Sequence, residues 1–100
     1  KIMENLEIKN CELDNLRNQI NEIDKNMAIL FEQRMIIIDK ICKVKQQFSL
    51  PTCDPAREKN MLEKNSQYIK NQKYVEPYKI FLSKCLEISK NYQSSKRNKK

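Results

Sequence analysis

The 100-residue chain has no glycine and no histidine, only three prolines and only seven aromatic residues. The lack of glycine, with so few aromatics, argues against a β sandwich and against a glycine-rich nucleotide fold. The lack of histidine removes the usual base for a cysteine nucleophile. Cys11, Cys42, Cys53 and Cys85 form no CxxC pair, so neither a metal nor another cofactor is expected. They read instead as small, partly buried thiols of a reducing compartment. No run of 18 apolar residues and no signal peptide is found, so no membrane span is expected and the protein reads as cytoplasmic. The first residue is Lys1 rather than Met, which leaves room for an upstream piece.

What is present is a heptad seam. Between Leu6 and Phe48 there is no proline. Leu13, Leu16, Ile20, Ile23, Met27, Leu30, Ile37, Ile41, Val44 and Phe48 recur there at steps of mostly three and four. That spacing predicts one long helix packed along its length against other helices. A helix of about 42 residues is roughly 63 Å long, too long for the rest of the chain to cover. A partner chain is therefore expected, most simply a two-fold homodimer. Arg34 interrupts the seam between Leu30 and Ile37. A permanent cation in an apolar stripe is costly unless an anion meets it.

Residues 1–12 continue the helical pattern weakly, with Lys9 in the seam and a start expected to fray. Pro51 ends the first helix near Gln47–Leu50. Asp54 followed by Pro55 predicts a second start: an N-cap acceptor, then a proline where no N–H is needed. Helix two is expected to reach Ile69 or Lys70. Helix three is expected from near Tyr74, with Tyr78, Phe81, Cys85, Ile88 and Tyr92 as its apolar set. The fold class is all-α, with one long and two shorter helices per chain in an intertwined homodimer. Residues 1–93 form the domain, and 94–100 read as a basic, disordered tail. The net charge of +7 falls to +3 once Lys96, Arg97, Lys99 and Lys100 of that tail are set aside. No aromatic interleaves those charges, so nucleic-acid binding is not expected.

The chain has sixteen lysines and four arginines. Arginine in such a composition points to a need for the planar fork that grips carboxylates. Arg17, Arg34 and Arg57 lie in predicted helices. On an ideal helix Arg34 and Lys45 lie within about 20° of one face and roughly 16 Å apart. Arg17 is about 25 Å from Arg34 along the axis and turned by about 100°. One helix cannot bring both to one small ligand, so a shared site needs Arg17 from the partner chain. Asp54, Arg57 and Glu58 share the first turn of helix two, where Asp54 reads first as an N-cap and Glu58 suits the dipole. Ser89 and Gln93 lie on one face of helix three at i and i+4.

These residues sit in the segments LRNQINEIDKNMAILFEQRMIIIDKICKVK (Leu16–Lys45), LPTCDPAREKNMLE (Leu50–Glu63) and EISKNYQ (Glu87–Gln93). In that order they resemble the all-α class of chorismate mutases. No single short motif carries the resemblance; the ordered polar set on three helices does. The resemblance implies that Arg34, and Arg17 of the partner subunit, bind the two carboxylates of chorismate. It implies that Lys45 and Gln93 donate to the ether oxygen, and that Glu58, with Asp54, holds the ring hydroxyl. Arg57 flanks that end, and Ser89 supports a carboxylate. Lys90 departs from the apolar pocket residue of some relatives.

The implied function is the pericyclic rearrangement of chorismate to prephenate in phenylalanine and tyrosine biosynthesis. That reaction needs no nucleophile, metal, redox cofactor or proton transfer. It needs the compact conformer held and donors placed where charge grows. Two alternatives stay open: an isochorismate-pyruvate lyase of the same fold, and a non-catalytic basic helical dimerisation module. If the chain is complete it leaves little room for an allosteric domain, and weak or no feedback by aromatic amino acids is then expected.

Overall fold

A computed structural model of the chain describes residues 2–98, with side chains described over residues 4–97. Helix α1 runs Ile2–Gln47, α2 runs Pro55–Ser66, a single 3₁₀ turn covers Gln72–Tyr74, and α3 runs Val75–Asn98. Among the described residues there is no strand. The chain divides into two units, Lys1–Met35 and Ile36–Lys100, with the boundary inside α1.

The first unit is the N-terminal part of α1. Its seam is not covered within the chain: Leu13, Leu16, Ile20, Ile23, Met27 and Leu30 are all exposed, Leu30 to 61%. Its surface carries a loose i,i+3 ion pair between Arg17 and Asp14 at 4.0 Å. Such an exposed pair adds little stability, of the order of a few tenths of a kcal/mol.

The second unit has a small core. Ile38 and Cys42 on α1 are buried, as are Leu82 and Leu86 on α3. This differs from the expected stripes. Ile37 and Val44 are exposed, as are Phe81 and Ile88. Both α1 and α3 carry two adjacent apolar stripes. The inner one is set by polar links between the helices: the Tyr92 hydroxyl donates to Asp39 Oδ1 at 2.7 Å, and the Cys42 thiol to the Gln93 carbonyl at 3.9 Å.

The end of α1 is built by backbone hydrogen bonds. The Leu50 N–H donates to the Lys45 carbonyl at 2.7 Å, and the Ser49 N–H to the Gln46 carbonyl at 3.3 Å. This is the Schellman pattern, which needs a left-handed residue just past the helix. Ser49 takes that place with φ 54°. Glycine would sit there without the Cβ clash, so Ser49→Gly is expected to stabilise the fold by about 0.5–1 kcal/mol. The measurement is the denaturant midpoint at unchanged slope, and a lowered midpoint refutes it.

Asp54 caps α2 as expected, its Oδ1 accepting from the Arg57 N–H at 3.2 Å, with Pro55 in the first turn. The helix stops at Ser66, short of the expected Ile69 or Lys70. The Ser66 hydroxyl bonds back to the Leu62 carbonyl. The next N–H groups, of Gln67, Tyr68 and Ile69, reach carbonyls three residues back. Such bonds tighten the last turn and end the α pattern.

The polar residues after Gln93 predict an end to α3 there, but the helix continues to Asn98. No proline or glycine stops it, and Lys96 and Arg97 in the last turn suit its negative end. Arg97 also donates to the Leu50 carbonyl, and Lys96 pairs with Asp39 at 3.7 Å. Lys99 and Lys100 of the expected tail lie outside the described residues.

Candidate active site

Lys45 lies in the last turn of α1 and is half-buried. Its ammonium donates to the Thr52 carbonyl at 2.9 Å and to Gln93 Oε1 at 3.1 Å. The first bond ties the chain after α1 back onto the helix; the second joins α1 to α3. An ammonium has three N–H donors and no acceptor, so these contacts leave one N–H. The second also orients Gln93, whose side-chain oxygen accepts from Lys45 and whose NH₂ is the donor end of the amide. Gln93 is only 4% exposed, so its amide is set by packing rather than by solvent.

Glu58 stands in the first turn of α2 with its side chain 21% exposed. Lys90 of α3 reaches its Oε1 at 3.1 Å, and the Cys53 thiol lies 3.7 Å from its Oε2. The hydrogen bond to Glu58, and then that carboxylate's negative charge, hold the Lys90 ammonium above the ordinary lysine range. A raised lysine pKa means that this pairing is fully present at neutral pH and is lost only as pH climbs through the raised value. No switch near neutrality arises from it.

Ser89 is buried, and its hydroxyl donates to the Cys85 carbonyl at 3.0 Å. Asp54 and Arg57 are exposed, with Asp54 engaged as the cap. Within the second unit the structure therefore brings Lys45 to Gln93, and Glu58 to α3. Arg17 and Arg34 belong to the first unit, where Arg17 is exposed and Arg34 half-buried.

Three participants escape a sequence reading. Thr52 contributes through its backbone carbonyl, which any residue has. Cys53 and Lys90 meet Glu58 only because α2 and the loop before it fold against α3. Of the thiols, Cys42 is buried and Cys85 half-buried, whereas Cys11 and Cys53 are exposed. Among the described residues no cluster of His, Cys, Asp or Glu could hold a metal ion. No helix among them is long and apolar enough to cross a membrane.

An open hollow of about 350 Å³ adjoins Lys45, lined also by Ile37, Lys40, Ile41, Val44 and Leu50. It lies on the outward apolar stripe of α1.

Over 51 residues the chain is 37% identical to the T-protein of Haemophilus influenzae, a stretch equal to 51% of this chain and 14% of that protein. The chain thus spans a small part of that relative's length. No solved structure matches the chain. The model of the family described as chorismate mutase type II matches residues 16–94. That range takes in Arg17, Arg34, Lys45, Glu58, Ser89 and Gln93. The chain belongs to the chorismate mutase type II family, a family of isomerases.

Proposed function

We propose that the chain rearranges chorismate to prephenate, as a cytoplasmic homodimer with two composite sites, in phenylalanine and tyrosine biosynthesis. The observation that carries this reading is the pairing of Lys45 with a Gln93 that is only 4% exposed. It leaves one ammonium N–H on Lys45 and, on the amide it holds, the NH₂ of Gln93 as a second donor. Two such donors suit one developing oxyanion.

In the reaction the ether C–O bond breaks while a C–C bond forms, and no proton moves. Arg34, with Arg17 of the partner subunit, binds the two substrate carboxylates and selects the compact conformer. Lys45 and the Gln93 amide donate to the ether oxygen as its charge grows. Glu58 accepts from the ring hydroxyl, with Asp54 beside it, and Arg57 flanks that end. Ser89 supports a carboxylate by turning its hydroxyl away from the Cys85 carbonyl.

The homodimer is supported by the exposed seam. Burying one leucine or isoleucine side chain stabilises by about 1.5–3 kcal/mol. A long row of them in water favours association with a matching row. A second copy supplies that match and brings its own Arg17.

The test is loss of chorismate absorbance, with isochorismate run in parallel for the lyase of the same fold. Lys45→Ala and Arg17→Ala are each expected to be inactive. Mixed and re-annealed, they should regain about a quarter of parental activity, because half the dimers hold one site with both residues intact. Mixtures that stay inactive while forming mixed dimers overturn the shared site. Turnover of isochorismate alone overturns the assigned reaction.

A further inference from the structure

Lys90 is the only residue in the Ser89–Gln93 turn whose charge reaches across to α2. Its ammonium sits 3.1 Å from Glu58 Oε1. The neighbouring Gln93, on the same turn, meets Lys45 of α1 at 3.1 Å. One turn of α3 therefore holds two of the polar groups that the proposed reaction uses, Glu58 of α2 and Lys45 of α1.

Glu58 poses a physical problem that Lys90 answers. Chorismate carries two negative charges, and a bare carboxylate lining its pocket repels it. A glutamate side chain in a first turn is also free to swing toward solvent. The Lys90 ammonium offsets the charge and holds Oε1 in place. A carboxylate has about four lone-pair sites. The contacts from Lys90 and from the Cys53 thiol on Oε2 at 3.7 Å leave room for one incoming hydroxyl.

We propose that Lys90 is a positioning residue: it fixes and neutralises Glu58 so that this carboxylate accepts the ring hydroxyl of a dianionic substrate. The assignment rests on the chorismate reading of the site. Lys90 does not touch the breaking bond, and its effect is on substrate binding.

The experiment compares steady-state chorismate kinetics of the parent, Lys90→Leu, Lys90→Arg and the double variant Lys90→Leu/Glu58→Gln. Lys90→Leu is expected to raise KM about tenfold with kcat within about twofold, the pattern of lost binding shared by ground and transition states. Added salt should shrink that rise, because screening weakens the repulsion of an unpaired carboxylate. Lys90→Arg keeps the charge and should restore KM to near the parent's. The double variant removes the bare charge while leaving an acceptor, so its KM should fall back below that of Lys90→Leu. A purely structural role predicts none of this recovery. An active parent whose KM is unmoved in Lys90→Leu overturns the assignment. So does a double variant that binds worse than Lys90→Leu. A folded parent that does not turn over chorismate overturns the reading of the site, and this assignment with it. Thermal melts of every variant separate misfolding from these outcomes; if Lys90→Leu melts early, Lys90→Met takes its place under the same criteria.

Discussion

Lys45→Ala should lower kcat for chorismate by about 10²–10³, the usual cost of removing one donor to a developing oxyanion. The fall should appear mainly in kcat rather than in KM. The ether oxygen is a poor acceptor in the ground state and gains charge only as its bond to carbon breaks. A donor aimed at it therefore binds the transition state more than the substrate. The geometry adds a second reason. The ammonium is held by the Thr52 carbonyl at 2.9 Å and Gln93 Oε1 at 3.1 Å, so its third N–H is already directed and little reorganisation is needed. The same contacts set the structural cost. Alanine leaves two acceptors without a donor, which costs about 1–3 kcal/mol each where water does not replace it. The melt must therefore be recorded beside the rate. A folded Lys45→Ala protein with parental kcat would remove Lys45 from the reaction. If KM rose instead and kcat held, Lys45 would be a binding cation only.

The second large effect concerns pH. In the parent the donor at position 93 is an amide, which donates at any pH. Activity should therefore hold from mildly acidic to mildly basic conditions as far as this residue is concerned. Gln93→Glu changes that. Ionised, the carboxylate has no proton to give and accepts from Lys45 instead. Lys45 is then drawn into an ion pair and away from the ether oxygen. Protonated, the carboxylic acid donates again. The rate should thus be retained only at low pH and should fall about tenfold for each unit above the new pKa. Two forces act on that pKa. Near-complete burial at position 93 favours the neutral acid and moves it up, whereas the Lys45 ammonium beside it moves it down. The sign of the rate change is the same wherever it settles. A pH–rate profile of Gln93→Glu that overlays the parent's would show that position 93 donates nothing to the reaction.

How legible each part was follows from how local its cause is. Asp54 and Pro55 announce the start of α2, because a cap and a first-turn proline act within four residues. Pro51 likewise announces the end of α1. The continuation of α3 to Asn98 was not legible: serines and lysines tolerate helix as readily as coil. Arg97 and Lys96 find partners on Leu50 and Asp39, which lie far away in sequence. The order of Arg17, Arg34, Lys45, Glu58, Ser89 and Gln93 was readable as a resemblance. Lys90 was readable only as a departure from it, since its partner Glu58 lies on another helix.

By itself the sequence determined three helices, where two of them begin or stop, and a row of apolar residues too long for one chain to hide. Those are matters of backbone freedom and of spacing along a single helix. Only the tertiary structure decided which of two neighbouring stripes turns inward. Ile38, Cys42, Leu82 and Leu86 form the core, while Ile37, Val44, Phe81 and Ile88 stay outside. The same packing decided that Gln93 meets Lys45 and that Lys90 meets Glu58. Periodicity places side chains around one axis, but burial and pairing depend on a second axis set beside it.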